Sequence, residues 1–308
     1  MSGEASGAVD RVAREVGGTE FIDRLAALSG SDFTTVMLEV VRRRAARETP
    51  ASVLRRYRRD RFVRPGAVPW GPTRRAEDAL LACLPPQTEV VPLAPVVPLG
   101  THSALGPVSQ HKVVTAIRAC EVAADPTNAL ALEAAVRRDG RPEGTVRLAA
   151  VQRVVRAQRF PAGWAAHFGL VAMVTAGRDQ GSRRFEESAV AEQFRFAAAA
   201  LRAAGVARVQ VALTPLSEAG ERIAAATAAA LAAEPAEITT DHDRVGGRGY
   251  YRDLCFKVNA MFDGPPVEIG DGGFTDWTAR LTANQKERLL ISGLSTDRLA
   301  AMAPPEGR

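Results

Sequence analysis

The stretch that decides the fold is Gly247-Arg248-Gly249-Tyr250-Tyr251-Arg252-Asp253-Leu254-Cys255-Phe256, in the last quarter of the chain. Two segments follow it closely: Asp271-Gly272-Gly273-Phe274-Thr275-Asp276-Trp277, then Leu289-Leu290-Ile291-Ser292-Gly293-Leu294-Ser295-Thr296-Asp297-Arg298-Leu299. In order, they predict a glycine-rich entry into a strand, a tight diglycine turn, and a strand that leads through small residues into Arg298. Small residues let a ligand approach the backbone, and an arginine supplies positive charge where the chain turns.

Hydrophobic periodicity around these segments indicates the fold class. Apolar residues alternate with polar ones from Tyr251 to Phe262, which predicts a strand with one face in the core. Further strands are predicted at 146–158, 168–175 and 206–213, and helices at 185–204 and 217–233. Strands separated by hairpins and irregular helical insertions favour an α+β fold, with a mainly antiparallel sheet flanked by helices.

Composition narrows the class of protein. The 308 residues are 46% hydrophobic and 24% charged, which is typical of a globular protein that remains in solution. The cysteines, Cys83, Cys120 and Cys255, are too few and too scattered for a disulfide framework or a zinc site. Neither a signal sequence nor a membrane span is evident, so we expect a cytoplasmic protein without a membrane partner.

The first 64 residues predict a basic, α-helical N-terminal extension, with a second domain over residues 65–308. One helix is expected to begin at Ser31 or Asp32, and a second has Thr49 as its cap and Pro50 at its first position. The excess charge of +5 is concentrated in arginines of this extension: Arg42, Arg43, Arg44, Arg47, Arg55, Arg56, Arg58, Arg59, Arg61 and Arg64. Solvated helix faces explain them more simply than a nucleic-acid surface, which stays an open alternative.

Taken together, the three C-terminal segments resemble the catalytic core of histidyl-tRNA synthetase and its paralogue, the regulatory subunit of ATP phosphoribosyltransferase. The resemblance runs from about residue 90 to 302 and is strongest after Val146. It implies a class II aminoacyl-tRNA synthetase-type sheet, a homodimer, and ATP as cofactor, with Mg²⁺ as an optional companion. Carboxylate attack on the α-phosphate of ATP needs positive charge around the triphosphate and a surface that stacks adenine.

The resemblance assigns roles to particular residues of this chain. Arg156, on the first strand of the second class II motif, would hold the α-phosphate, and Phe168 on the returning strand would stack adenine. Gln158 stands where the family has a glutamate that contacts the adenine amino group. Arg298, at a helix start in the third motif, would hold the terminal phosphates. Arg248 would assist the transition state, although the family arginine aligns with Gly246.

The amino-acid pocket departs from the family more than the ATP site does. By position, Thr127, Tyr250, Tyr251, Gly272 and Gly273 would line it. Thr127 replaces an acidic residue, and apolar Leu170 and Val174 replace a glutamine and a glutamate that hold the substrate. Apolar side chains offer nothing to a buried charge, which argues against histidine as the substrate.

The nucleotide and transfer-RNA sites also differ from those of the enzyme. Trp164 and Ala166 replace two arginines of the family, so fewer positively charged side chains would bind the triphosphate. The chain ends soon after Arg298, so we expect no anticodon-binding domain.

These observations leave three functional hypotheses open. The leading one is a freestanding histidyl-tRNA synthetase-like paralogue that binds ATP and activates a small carboxylate, an amino acid other than histidine, as an adenylate. The alternative is a non-catalytic regulatory subunit that works with a partner enzyme or carrier. A third is an RNA-binding protein that uses the N-terminal arginines. No metal site is predicted, because the four histidines lack ligand spacing.

Overall fold

The computed structural model describes residues 2–139, 143–160, 165–261 and 265–302. Its elements, in chain order, are α1 (Ser2–Glu15), α2 (Thr19–Ala26), α3 (Gly30–Ala45), α4 (Pro50–Arg59), α5 (Trp70–Ala82), β1 (Glu89–Val90), β2 (Val96–Pro98), α6 (Thr101–Leu105), β3 (Thr115–Ala116), β4 (Cys120–Val122), α7 (Pro126–Asp139), β5 (Val146–Val155), β6 (His167–Arg178), α8 (Arg184–Ala203), β7 (Arg208–Pro215), α9 (Glu218–Ala230), β8 (Glu237–Thr240), β9 (Arg252–Met261), β10 (Val267–Thr275), α10 (Trp277–Leu281), β11 (Glu287–Ser295) and α11 (Thr296–Met302). Short 3-10 helices cover Gln110–Lys112 and Arg248–Tyr250. The chain divides into two compact units, residues 1–60 with 115–120 and residues 61–114 with 121–308.

The first unit contains helices α1 to α4. Thr49 caps α4 in a reciprocal capping box with Ser52, and Pro50 is the first helical residue, as predicted. The predicted start of α3 was late, because Ser29 accepts from the Asp32 amide and caps the helix there. Large apolar side chains of this unit are unusually exposed, with Val53 at 56% and Leu54 at 49%.

The second unit is built around a mixed, eight-stranded sheet. Its strand order is β1-β5-β6-β11-β10-β9-β7-β8. The six central strands pair antiparallel, whereas β1 and β8 add to the two edges in parallel. This arrangement confirms the predicted α+β class and the mainly antiparallel sheet.

Helices cover both faces of the sheet and form two cores. On one face, α5, α8, α9 and α11 pack through Leu80, Phe194, Ile223 and Leu299 against strand residues such as Phe256. The other face packs against α7 through Leu130 and Ala134, with Tyr251 and Trp277 beside them. We call this second side the α7 face of the sheet.

The predicted diglycine turn at Gly272 and Gly273 was wrong, because both residues lie inside strand β10. Their small size serves close packing instead of chain reversal. A Cβ on Gly272 would lie 2.4 Å from the Ile291 carbonyl oxygen and 2.5 Å from the Phe256 ring. A Cβ on Gly273 would lie 2.6 Å from the Tyr251 ring. Any larger residue would force neighbouring strands or rings to move.

Element bounds otherwise follow the sequence pattern within a few residues. Strand β9 begins at Arg252 and is described as far as Met261, so the predicted end at Phe262 lies outside the described residues. Trp164 lies outside them too. In the described part of the chain, no helix is both long and apolar enough to cross a membrane.

Candidate functional site

Arg156 and Phe168 meet at the end of the β5–β6 hairpin. The ladder pairs Val154 with Phe168, and the Arg156 amide donates to the carbonyl of Ala166 just beyond it. The Arg156 guanidinium then lies over the Phe168 ring, 5.0 Å from its centroid. Two residues that the sequence separates by a loop therefore form one cation–π pair on the α7 face.

The segment before α7 holds the Arg156 side chain in place. Its Nε donates to the carbonyl of Ala124 at 2.8 Å, and its Nη2 lies 3.2 Å from a carboxylate oxygen of Asp125. The other oxygen of Asp125 accepts from the amide and hydroxyl of Thr127, which is buried. Thr127 thus orients Asp125, and Asp125 orients the arginine.

A buried pair, His102 and Glu121, also holds the segment before α7 in place. The Ala124 amide can only donate, and it lies 3.0 Å from His102 Nε2, so Nε2 accepts. The ring proton is then on Nδ1, which donates to Glu121 at 2.5 Å. One hydrogen-bonded chain therefore runs from Glu121 through His102 and the Ala124 peptide to Arg156.

The ionisation of Glu121 makes the stability of this hydrogen-bonded chain depend on pH. Burial raises the pKa of its carboxyl, but hydrogen bonds from the His102 amide and ring, the Gly100 amide and Gln110 outweigh burial and leave the pKa below its usual 4.5. A lowered pKa means that the ionised carboxylate stabilises the fold above the unfolded-state value, and that this contribution disappears as the pH falls through the folded-state value.

We therefore expect Glu121→Gln to remove one acid-dependent part of the stability. Urea midpoints measured from neutral pH to about pH 3 should fall less steeply for Glu121→Gln than for the wild-type protein. Glu237→Gln, on an exposed edge strand, is the control and should leave the slope unchanged. Parallel curves for the wild-type protein and Glu121→Gln would contradict the assignment.

Arg298 lies in the first turn of α11, directly after strand β11. Its Nη1 donates to the carbonyl of Glu268 at 2.7 Å, and the Glu268 carboxylate is 3.9 Å away. Burial first, and the charge of Arg156 among the further causes, lower the pKa of Arg298. The positive charge of Arg156 therefore acts on Arg298, and a bound anion would offset it.

A row of small residues crosses the α7 face of the sheet. The register sets Ala150 opposite Ala172, Ala172 opposite Gly293, and Gly293 opposite Asp271. Among the described residues, a Cβ on Gly293 would meet no atom within 4 Å. The sheet is therefore open above Gly293, where a ligand can approach the backbone.

Asp271 and Arg244 form an ion pair beside this opening. Arg244 Nη2 lies 3.1 Å from Asp271 Oδ2, and the Tyr251 hydroxyl donates to the same oxygen at 3.2 Å. The Arg244 side chain is only 2% exposed, whereas that of Asp271 is 43% exposed. Burial nevertheless raises the pKa of Asp271, because protein atoms crowd around it. We call this part of the α7 face, from Arg156 and Phe168 to Gly293 and Asp271, the cleft.

The remaining predicted residues have contacts of their own. Tyr250 and Tyr251 meet edge to face, with ring centroids 5.3 Å apart. Burial raises the pKa of Tyr250, and the charges of Asp271 and Arg156 reach it. Arg248 Nη1 donates to the carbonyl of Arg244. Gln158 follows Arg156 by two residues, and its carbonyl accepts from Arg61 at 2.8 Å.

Sequence reasoning missed Arg244, Asp125, Asp271 and His102 as site residues. Arg244 lies six residues before Tyr250, and the 3-10 turn at Arg248–Tyr250 brings it back against Tyr251, 5.7 Å from the ring centroid. Asp271 had a signal in the sequence, because it and Glu268 are the charged residues of an otherwise largely apolar and glycine-rich strand. The His102–Glu121 pair had none, since 19 residues separate its members.

A cavity of about 560 Å³ lies elsewhere in the second unit. Its lining is charged and includes Asp179, Arg183, Glu187 and Arg288. The arginines there are paired internally: Arg288 lies 2.8 Å from Asp179 and 3.1 Å from Glu186. None of the predicted site residues lines this cavity, so its size alone does not make it the candidate site.

Comparison with known proteins gives structural matches. No protein-family model matches the sequence, and no curated protein matches it significantly. An ATP phosphoribosyltransferase regulatory subunit/histidyl-tRNA synthetase from Bacillus halodurans superimposes with a TM-score of 0.61 and 13% identity, over 79% of this chain and 83% of that chain. Apo histidyl-tRNA synthetase from S. aureus gives 0.58 and 15%, over 76% and 66%. A histidine–tRNA ligase subunit from Alicyclobacillus acidocaldarius gives 0.57 and 15%, over 78% and 95%.

These similarities concern the fold of the chain. At such low identity they establish a shared fold and leave activity open. The chain therefore has a class II aminoacyl-tRNA synthetase-like core, of the form found in histidyl-tRNA synthetase and the regulatory subunit of ATP phosphoribosyltransferase.

Proposed function

We propose that this chain binds ATP on the α7 face of its sheet and activates a small carboxylate, an amino acid other than histidine, as an adenylate. The observation that supports the proposal is the cation–π pair of Arg156 with the half-buried ring of Phe168, together with Arg298, whose pKa is lowered by burial first and further by the charge of Arg156. A polyanionic ligand that binds both guanidinium groups would offset this effect on Arg298.

We assign each part of ATP to one group of the chain. Phe168 offers a ring to adenine, with Gln158 near the exocyclic amine. Arg156 is proposed to hold the α-phosphate, and Arg298 the terminal phosphates, where Mg²⁺ would serve as counter-ion. The open sheet above Gly293 leaves room for the reacting groups. Arg248 is proposed to approach the reacting centre from the 3-10 turn.

The reaction needs little from the protein besides charge and position. A carboxylate oxygen of the substrate attacks the α-phosphorus, the bond from that phosphorus to the bridging oxygen breaks, and pyrophosphate leaves. No proton moves in this step. Arg156, held by Ala124 and Asp125, would neutralise the charge that develops on the α-phosphate oxygens.

The pocket beside Phe168 does not suit histidine. Leu170 and Val174 follow Phe168 on the same face of β6, and both are buried. Neither provides a hydrogen bond to an imidazole. An imidazole placed there would lose its hydrogen bonds to water without replacement, which is unfavourable by about 1–3 kcal/mol per group.

A regulatory subunit is the second candidate, and one observation favours it. Asp125 already neutralises Arg156 at 3.2 Å, so the guanidinium is less available to a phosphate than a free arginine. In that case the cleft would bind a small effector without catalysing a reaction, and the bound effector would change the activity of a partner enzyme. A homodimer and a cytoplasmic location are proposed under either candidate.

Pyrophosphate exchange tests the proposal directly. Wild-type protein with Mg-ATP, labelled pyrophosphate and each protein amino acid in turn should form labelled ATP with at least one of them, and not with histidine. ATP binding without exchange for any carboxylate would favour the regulatory candidate. Absence of ATP binding by calorimetry would rule out the ATP site, because a class II-type adenylation step needs the nucleotide bound.

A further inference from the structure

A group of hydrogen-bonded side chains lies behind the proposed nucleotide site, on the face of the sheet opposite α7. Residues of β6 alternate between the two faces. Phe168 shares the α7 face with the buried Val174, so Gly169 lies on the opposite face. Asp297, in the first turn of α11, contacts Gly169 there. Its Oδ1 accepts from the Gly169 amide at 3.1 Å and would lie 3.0 Å from a Cβ on that residue. One carboxylate therefore connects α11 to β6.

The two residues in this contact are the chain neighbours of two residues assigned to ATP. Gly169 follows Phe168, which is proposed to stack adenine, and Asp297 precedes Arg298, which is proposed to hold the terminal phosphates. The approach is close, because a Cβ on Gly169 would lie 2.4 Å from Thr296 Oγ1. A change in the contact between β6 and α11 would therefore move the adenine part of the site relative to the phosphate part.

Arg153, on β5, holds the Asp297 carboxylate in this position. Its Nη2 donates to both carboxylate oxygens, at 3.0 and 3.1 Å, and its Nη1 lies 2.9 Å from His167 Nδ1. A guanidinium group can only donate, so Nδ1 of His167 accepts. The ring proton is then on Nε2, which donates to the carbonyl of Arg64 at 2.5 Å. Because both of its oxygens are bound, the Asp297 carboxylate keeps one orientation towards Gly169.

We infer that Asp297 is a positioning residue for the nucleotide: held by Arg153, it fixes the spacing between the Phe168 ring and the Arg298 guanidinium from the face opposite the cleft. This inference rests on the proposed function, since the two groups are those assigned to adenine and to the terminal phosphates. A ligand that binds two groups at once gains affinity from both only when their spacing matches its own length. Asp297 should therefore matter for the whole nucleotide and not for its separate parts.

Two fragments of ATP test the inference. AMP contains the part assigned to Phe168 and Arg156, and tripolyphosphate contains the part assigned to Arg298. Isothermal titration calorimetry measures the affinity for ATP, and displacement of bound ATP measures the affinity for each fragment at the same site. A purely structural role of Asp297 would weaken all three ligands together, whereas a positioning role weakens ATP alone.

Asp179→Ala is the matched control for Asp297→Ala. Asp179 also accepts from an arginine, Arg288 at 2.8 Å, and from a backbone amide, that of Gly181 at 2.8 Å. It follows the end of β6 that lies farthest along the strand from Phe168. Its removal therefore breaks the same kinds of bond without changing the spacing of the proposed site.

We expect Asp297→Ala to weaken ATP binding at least about fivefold, while the affinities for AMP and tripolyphosphate change by less than about twofold. Asp297→Asn keeps an acceptor for the Gly169 amide, so its ATP affinity should lie between those of the wild-type protein and Asp297→Ala. Asp179→Ala should bind all three ligands as the wild-type protein does. If Asp297→Ala does not fold, Arg153→Ala replaces it and should show the same pattern, because 43% of the Arg153 side chain is exposed and its removal disturbs the fold less.

Three results would overturn the inference. They are equal losses for ATP and its fragments, unchanged ATP binding by the folded variant, and a wild-type protein that binds ATP but neither fragment. Absence of ATP binding to the wild-type protein would instead remove the proposed function.

Discussion

Alanine at Arg156 or at Arg298 is expected to weaken ATP binding by about tenfold to hundredfold. Each guanidinium is proposed to make charge-assisted hydrogen bonds to phosphate, and such bonds contribute about 1.5–3 kcal/mol. Isothermal titration calorimetry with ATP measures the loss. Arg156→Lys keeps the charge but not the planar fork, so its affinity should lie between those of the wild-type protein and Arg156→Ala.

Arg147→Ala is the matched control for this measurement. Arg147 lies on the same strand as Val154 and Val155, pairs with Glu192 at 2.7 Å, and is partly buried like Arg156. It lies near the far end of β5 from the cleft, so its removal should leave ATP affinity unchanged. If Arg156→Ala and Arg298→Ala both bind ATP as tightly as the wild-type protein, the site assignment is wrong.

The largest loss of stability is expected from Glu287→Ala. Glu287 on β11 accepts from both Nε and Nη2 of Arg138 on α7, each at 2.8 Å, and both side chains are almost completely buried. Removing the carboxylate leaves a buried guanidinium without the counter-ion that two of its nitrogens use. Breaking such a pair typically costs about 3–5 kcal/mol, a large part of a domain's stability.

Urea unfolding followed by circular dichroism measures this effect. Glu89→Ala is the control, because Glu89 pairs with the neighbouring Arg137 at the surface, where such pairs contribute about 1 kcal/mol or less. The double variant Arg138→Met with Glu287→Leu should recover much of the loss, since it removes both charges. A loss for Glu287→Ala no greater than for Glu89→Ala would show that the buried pair does not hold α7 on the sheet.

The sequence was sufficient to predict the strands of the sheet, because the alternation of apolar and polar residues that marks a strand is local. Alternating apolar residues in β9 reveal a half-buried strand regardless of distant partners, and the capping box at Thr49 is complete within four residues. Glycines were harder to interpret. Gly272 and Gly273 fit either a turn or a close approach between strands, and only the positions of Phe256 and Tyr251 decided between the two.

The division between residues 64 and 65 and the roles of the individual site residues remain predictions. The exposed apolar residues of the first unit show why a hydrophobic pattern alone does not predict burial. Val53 and Leu54 follow a helical pattern that predicts burial, yet they are about half exposed, because a unit of four short helices has little interior to cover them.

By itself, the sequence determined the arginines, the aromatic residue and the strands that carry them, since each motif is a short run whose chemistry and spacing can be read directly. Only the tertiary structure decided that Arg156 lies over the Phe168 ring, that Arg244 pairs with Asp271, and that His102 pairs with Glu121. The physical reason is that electrostatic interactions depend on distance in space. Arg138 and Glu287, for example, are 149 positions apart in the chain and become direct partners once α7 packs on the sheet.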